Sequence, residues 1–340
     1  MLLIEEVTRC LPHRLFKIGL RIKSHELPGS AAFLCLPRAL HLERMVFMSS
    51  ALRDSLASSQ NFLKDPRLVA ALIERCQIGC ADLVYEIGAG KGIITAQLAR
   101  RCQRVIAIEK DPRLAALLRQ RFAGWDNVTL YEGDVLDADL PRQPYKVFAN
   151  IPFHITAAIV TKLTTAAHPP EEAYLAMQQE AAEMWLGEPR ESLRTVLLKP
   201  WFEVALVHRF RRADFVPVPQ VDVVMLRLRK RGPPLVSRQQ KQGFRDFVVH
   251  VFTNWQPTLG SSLKMLFTGP QLKHISKEVG FESDATPTVL SFEQWLSLFA
   301  YFEKLGNAQA KQGIAGSERR LKGQQQKLQK ARRTRKRTRG

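Results

Sequence analysis

Asn150-Ile151-Pro152-Phe153 follows directly on the apolar run Lys146–Asn150, and its residue types suit one kind of chemistry. The exocyclic amine of an aromatic base is a poor nucleophile, because its lone pair is spread into the ring. An asparagine side-chain oxygen and a neighbouring backbone carbonyl can each accept one of its N–H groups. Two such acceptors hold the nitrogen and favour a pyramidal lone pair aimed at an electrophilic methyl. Pro152 stiffens the turn, and Phe153 offers a face for a base, a stack worth about 1–3 kcal/mol. No strong general base is needed, since attack on a sulfonium methyl gives an acidic ammonium that sheds its proton easily. In-line placement is then most of the catalysis. Alone, the tetrapeptide reads better as a structural Asn-x-Pro turn, so its neighbours decide.

A second group is Gly88-Ala89-Gly90-Lys91-Gly92, directly after the apolar run Leu83–Ile87. Glycines there let backbone approach a ligand, and the helix they open presents unpaired N–H groups. Glu109 ends the next apolar run, where a carboxylate usually accepts from ribose hydroxyls. The spacing fits neither the dinucleotide fingerprint nor a P-loop, because Lys91 is followed by Gly92. A cofactor with a ribose but no pyrophosphate fits better. Asp134, after Gly133, is placed either to accept from an adenine amino group or to act as a plain cap.

These groups need a sheet to position them. Short apolar runs at Leu83–Ile87, Val105–Glu109, Val128–Glu132, Lys146–Asn150, Tyr174–Met177, Val204–Phe210 and Val223–Leu228 read as strands. Helical patterns separate the earlier ones, with Asp65-Pro66 and Asp111-Pro112 as capped starts. Such alternation predicts a mostly parallel α/β sheet, Rossmann-like and covered on both faces. After Arg231-Gly232-Pro233-Pro234 only helical periodicity remains. The expected division is an extension of unassigned role over residues 1–44, with Met45 or Met48 as alternative starts. A cofactor-binding domain follows over 45–232, a small all-helical domain over 233–304, and a disordered basic tail over 305–340.

Charge narrows the partner. Lys+Arg number 51 against 32 Asp+Glu, a net charge of +19, which favours a polyanion, nucleic acid first. Glu318–Gly340 carries +10 of it, as eleven Lys/Arg and one Glu. A block this basic and this poor in apolar residues reads as disordered chain that settles on phosphates. Arg332, Arg333, Arg335, Lys336 and Arg337 are its densest part. No apolar run approaches 18 residues, so no membrane span is predicted. Cys10, Cys35, Cys76, Cys80 and Cys102 are odd in number and are read as reduced thiols. No metal site is expected.

The combination resembles the rRNA adenine-N6 methyltransferases, and within them the Erm family of 23S rRNA methyltransferases. The likeness spans roughly residues 58–228, with a weaker helical match to about Phe302. It rests on Gln60-Asn61-Phe62-Leu63, Glu86-Ile87-Gly88-Ala89-Gly90-Lys91-Gly92, Asn150-Ile151-Pro152-Phe153 and Phe215-Val216-Pro217-Val218-Pro219-Gln220-Val221-Asp222. The related small-subunit rRNA dimethyltransferases (KsgA type) usually show N-L-P-Y and a proline in the glycine loop. Ile151, Phe153 and Ala89 point away from them. The resemblance implies that Gln60, Asn61, Leu63 and Asn150 line S-adenosylmethionine and that Gly88 and Gly90 lie against its methionine part. Glu109 would hold its ribose and Asp134 its adenine amino group. Asn150 and the Ile151 carbonyl would grip the target N6, with Pro152 stiffening the turn. Phe153 and Phe215 would sandwich the flipped base.

Further implied are a cytoplasmic monomer, no membrane partner, and a 23S rRNA substrate that is unassembled or partly assembled. The resemblance also implies macrolide, lincosamide and streptogramin B resistance. Three alternatives remain at this stage: the small-subunit enzyme, a DNA adenine methyltransferase, and a non-catalytic nucleic-acid-binding factor on the same fold.

Overall fold

The computed structural model describes residues 61–253 and 258–337, with side chains through Leu328. The extension over 1–44 and Gln60 lie outside the described residues. A seven-stranded sheet forms the centre. Its strands are β2 (Leu83–Ile87), β3 (Arg104–Glu109), β4 (Val128–Glu132), β5 (Lys146–Asn150), β6 (Glu172–Gln178), β7 (Phe202–Arg209) and β9 (Val223–Lys230). They lie in the order β4-β3-β2-β5-β6-β9-β7. The first five run parallel, and β9 and β7 close the sheet antiparallel. The Rossmann-like expectation holds.

Alternation along the strands explains both covered faces. Val84, Val105, Ala107, Phe148, Tyr174 and Met225 point to one side. There they meet Val69, Leu72 and Ile73 of α1 (Pro66–Arg75), Ile94 and Leu98 of α2 (Ile93–Ala99), and Leu118 of α3 (Pro112–Arg121). Leu83, Tyr85, Ile87, Val147, Ala149 and Leu175 point to the other side. They meet Ile159, Val160 and Leu163 of α4 (Thr156–Thr165), and Ala182 and Trp185 of α5 (Gln179–Leu186). Each fully buried Val, Leu, Ile, Phe or Met among them contributes about 1.5–3 kcal/mol of burial. Asp65 and Asp111 cap α1 and α3 by accepting from Arg67 N and Arg113 N at 2.8 Å, each with proline in the first turn.

A two-stranded ribbon, β1 (Phe62–Leu63) with β8 (Phe215–Val216), is antiparallel. Sequence periodicity did not predict it, because two residues per strand carry no period.

The helical part comprises α7 (Lys241–Thr253), α8 (Leu259–Leu263), α9 (Gly269–Val279) and α10 (Phe292–Leu305). Phe244, Phe247, Trp295, Phe299 and Phe302 form its centre. This core also takes in Val196 of α6 (Leu193–Leu198), with Trp201 packed on both this core and the sheet's second face. Helices therefore begin to join the second core well before residue 233.

The disordered reading of 305–340 is corrected over the described part of that stretch. Ala310 and Ile314 of α11 (Ala308–Ile314) are buried in the helical core. Residues Ser317–Arg337 form a further helix, α12. Composition alone is a poor guide here, because a few local contacts start a helix that Lys, Arg, Gln and Ala then propagate well. No helix among the described residues is long and apolar enough to cross a membrane.

Candidate active site at the carboxyl ends of the strands

β2 sits between β3 and β5, so the chain leaves the sheet in opposite directions on its two sides. This is the switch point where open α/β sheets bind ligands. The glycine loop starts here. Gly88, Gly90 and Gly92 all take positive φ, at 72°, 58° and 77°, a conformation that costs other residues roughly 1–2 kcal/mol. Gly88 N and Ala89 N donate to Ile108 O at 2.9 and 3.0 Å, which ties the loop to β3. Glu109 completes the tie, its Oε2 accepting from Gly90 N and its Oε1 from Asp111 N, both at 2.8 Å. Its carboxylate thus fixes the loop from β3's end, where a ribose would lie.

The loop, Phe62, Leu63 and Asn150 line one crevice. A Cβ on Gly90 would lie 2.7 Å from the Phe62 ring, so only glycine allows this closeness. Lys91 Nζ stands 5.6 Å from the centre of the same ring. A bare backbone cradle beside an aromatic ring and a ribose-side carboxylate fits S-adenosylmethionine in shape and donor set.

Asn150 ends β5 and joins the two halves of the site. Its Nδ2 donates to Asn61 O at 2.6 Å. That bond fixes the amide and turns Oδ1 away, leaving it without a donor among the described residues. The neighbouring backbone is equally fixed. Ile151 N donates to Ala176 O at 3.0 Å, and the Ile151 side chain is 2% exposed. Pro152 O accepts from Ile155 N at 3.1 Å, and Phe153 O from Thr156 Oγ1 at 3.1 Å. Phe153 therefore starts a short 3₁₀ turn with its ring half-buried against the first core.

β1 and β8 bring the first and last motifs together, pairing Leu63 with Phe215, while Lys64 N donates to Asp214 O at 3.1 Å. The sequence reading treated these motifs as separate. Their pairing here corrects one assignment. The Phe215 ring is 1% exposed and packs edge-on against Phe210 at 5.2 Å. Alternation in the ribbon turns Val216 out and Phe215 in, so Phe215 offers no stacking face in this structure. Asp134 also has local work: its Oδ2 takes Lys110 Nζ at 2.7 Å and its Oδ1 takes Leu136 N at 2.9 Å. The hydrogen bond from Lys110, then that from Leu136, holds its carboxyl below the usual range.

Glu86 is a residue the sequence reading quoted without giving it a role. It is fully buried in β2 beneath the loop, beside Thr95 and Glu109. Burial pushes its carboxyl up to about 8, the charge of Glu109 adds to the rise, and neither carboxyl oxygen has a hydrogen-bond partner among the described residues. The signal was an acid inside the otherwise apolar run Leu83–Ile87. The buried thiols have no such placement. Burial pushes Cys76 to about 12 and Cys102 to about 11, which leaves them inert at neutral pH. Among the described residues, no group of three or more His, Cys, Asp or Glu is disposed to hold a metal.

The sheet and the crevice at its switch point are those of a Rossmann-like methyltransferase. Residues 53–304 match the family described as ribosomal RNA adenine dimethylase. The rRNA adenine N-6-methyltransferase of Bacillus licheniformis is 28% identical over 244 residues, covering 71% of this chain and 85% of that one. The ribosomal RNA small subunit methyltransferase A of Bacillus mycoides is 32% identical over 256 residues, covering 70% and 88%. The crystal structure of the 23S rRNA methyltransferase ErmE superposes with a TM-score of 0.67 at 32% identity, covering 72% of this chain and all of that one. The chain belongs to the ribosomal RNA adenine dimethylase family and is an S-adenosylmethionine-dependent rRNA adenine-N6 methyltransferase.

Proposed function

We propose that the substrate is an adenine of 23S rRNA, met in unassembled or partly assembled large-subunit RNA in the cytoplasm. Its N6 methylation would confer macrolide, lincosamide and streptogramin B resistance. The observation that carries this reading is the chain's own catalytic loop. Ile151 and Phe153 stand where small-subunit enzymes usually have Leu and Tyr, and Ala89 stands in the glycine loop where they usually have proline. The likeness to ErmE supports the same choice. The comparable identity to a small-subunit enzyme keeps 16S rRNA as the competing substrate.

S-adenosylmethionine, when bound, supplies an electrophilic methyl on a sulfonium sulfur. Gly88, Gly90, Leu63, Asn61 and Gln60 would line it, with Glu109 toward its ribose and Asp134 toward its adenine amino group. The protein's remaining task is to hold an extruded adenine. Extrusion costs a few kcal/mol. Stacking on Phe153 returns about 1–3 kcal/mol. Hydrogen bonds from N6 to Asn150 Oδ1 and to the Ile151 carbonyl return about 0.5–1.5 kcal/mol each. The sum roughly balances, so the flipped state is populated only where these groups meet the base. The same two acceptors aim the N6 lone pair along the line of attack, and the methylated nitrogen then loses its proton to solvent.

The test maps N6-methyladenine in 16S and 23S rRNA from cells that express the protein, by primer extension and mass spectrometry, together with macrolide susceptibility. Modified 23S rRNA with raised resistance is the expected result. Modification confined to 16S rRNA would assign the small-subunit role instead.

A further inference from the structure

We propose that α12 is a preformed rigid arm that grips the phosphates of a duplex stem in the RNA substrate, held in position by a latch of Asp246, Arg245 and Glu318. The proposal rests on an RNA substrate but not on which rRNA it is.

Asp246 and Glu318 of the latch are buried, and Arg245 is partly buried. Asp246 of α7 accepts Gly316 N on Oδ2 at 3.0 Å and Glu318 N on Oδ1 at 2.9 Å, so one carboxylate satisfies two backbone donors at the start of α12. Only 5% of Asp246 is exposed. An anion there also meets the positive end of the helix dipole. Next to it, Arg245 grips Glu318 with two bonds, Nε to Oε2 at 2.9 Å and Nη2 to Oε1 at 2.7 Å. Lys322 Nζ reaches the same carboxylate at 2.6 Å from one turn further on. This bidentate geometry fixes direction as well as distance.

Such fixing matters because the remainder of the helix is strongly basic. Gly323–Arg337 carries seven cations and no acid. Like charges three and four residues apart, as at positions 330 and 333, oppose helix formation by about 0.2–0.5 kcal/mol each. Starting a helix is itself improbable, with a nucleation constant near 10⁻³. The latch supplies that start, and phosphates relieve the repulsion. Gln324, Gln325, Gln326, Lys327 and Leu328 are exposed, so this stretch is not sheathed by the domain. Fifteen residues from Gly323 at 1.5 Å each make an arm of about 22 Å.

Charge and shape select the partner. An acidic protein surface would need apolar anchors at its centre, and Leu328 is the one large apolar side chain described as exposed on this helix. A phosphate backbone needs only a row of cations. The major groove of A-form RNA is too narrow for side chains to read its bases, so the arm grips the backbone and carries no sequence preference. Its ordering is settled before binding, which spares the RNA complex that entropy.

The experiment uses the full chain and two probes, an RNA hairpin with a long duplex stem and single-stranded poly(U), each titrated across a range of salt. Two variants separate charge from rigidity. In one, Lys327→Gln, Lys330→Gln and Arg333→Gln are combined. In the other, Gln325→Pro breaks the helix and leaves every charge in place. The triple variant is expected to lower the salt slope on the hairpin by about 0.9 for each phosphate that is no longer neutralised. Gln325→Pro is expected to weaken hairpin binding at least fivefold, with poly(U) and S-adenosylmethionine binding unchanged. If Gln325→Pro binds the hairpin like wild type, the arm is a flexible polycation and the proposal fails. If the triple variant leaves the slope unchanged, α12 does not touch RNA and the proposal fails. Wild-type protein that binds neither probe would instead overturn the RNA substrate reading itself.

Discussion

At single-residue scale Phe153 and Glu86 give two separable tests. Phe153 is half-buried against the first core, and in the proposed role as the base's stacking face its loss should remove a stack and little else. Phe153→Ala is expected to lower kcat/KM for RNA roughly 5- to 150-fold, the rate equivalent of one base–aromatic stack. Steady-state kinetics with saturating S-adenosylmethionine would show it, and an unchanged kcat/KM would remove Phe153 from the base pocket. Glu86 makes itself felt through pH. Its folded pKa of about 8 lies above the usual carboxylate value, so between roughly pH 4.5 and 8 the folded state holds a proton that the unfolded chain has released. Stability should therefore fall as pH rises through that window, by up to about 1.4 kcal/mol per pH unit from this group. Glu86→Gln should flatten the fall and leave the protein more stable at neutral pH than the parent. Urea midpoints across that range measure it, and a variant with the parent's slope would show that Glu86 is ionised in the folded chain.

The elements were legible where periodicity was long and caps were explicit. The strands of the sheet and the two Asp-Pro helix starts could be read because buried strands are apolar runs and capping needs particular residues. The β1–β8 ribbon could not, and with it went the pairing of Leu63 with Phe215. Long-range pairing of two short strands leaves no local pattern. Phe215 was placed by resemblance at the base, whereas the ribbon's alternation turns it into the core. The tail was misjudged because a disorder argument weighs composition and overlooks what a neighbouring helix contributes, here Asp246 and Arg245 of α7. The glycine loop gives a test at this scale. Gly90→Ala would place a methyl 2.7 Å from the Phe62 ring at positive φ, so the loop must shift. S-adenosylmethionine affinity by calorimetry is expected to drop at least tenfold, while stability falls by about 1–2 kcal/mol. Unchanged affinity would mean that Gly90 does not contact the cofactor.

For the whole molecule, the sheet and the helical part share side chains across residue 233. Val196 is buried in the helical core, and Trp201 touches both cores. A chain ended at Gly232 would uncover Val196, Leu193, Leu197 and Trp201 together. Such a fragment is expected to bind a hydrophobic dye and to unfold at lower denaturant than the full chain; equal midpoints would show that the sheet domain stands alone. The shared packing of Val196 and Trp201 ties the helical part to the sheet.

The most direct measurement pairs catalysis with cofactor binding in one variant. Wild-type protein and Asn150→Ala are each incubated with protein-free 23S rRNA and S-adenosylmethionine. N6-methyladenine is counted by mass spectrometry, and cofactor affinity is measured separately by calorimetry. Methylation should disappear in Asn150→Ala while cofactor affinity stays within several-fold of wild type. Methyl transfer near the wild-type rate in that variant would contradict the grip on N6.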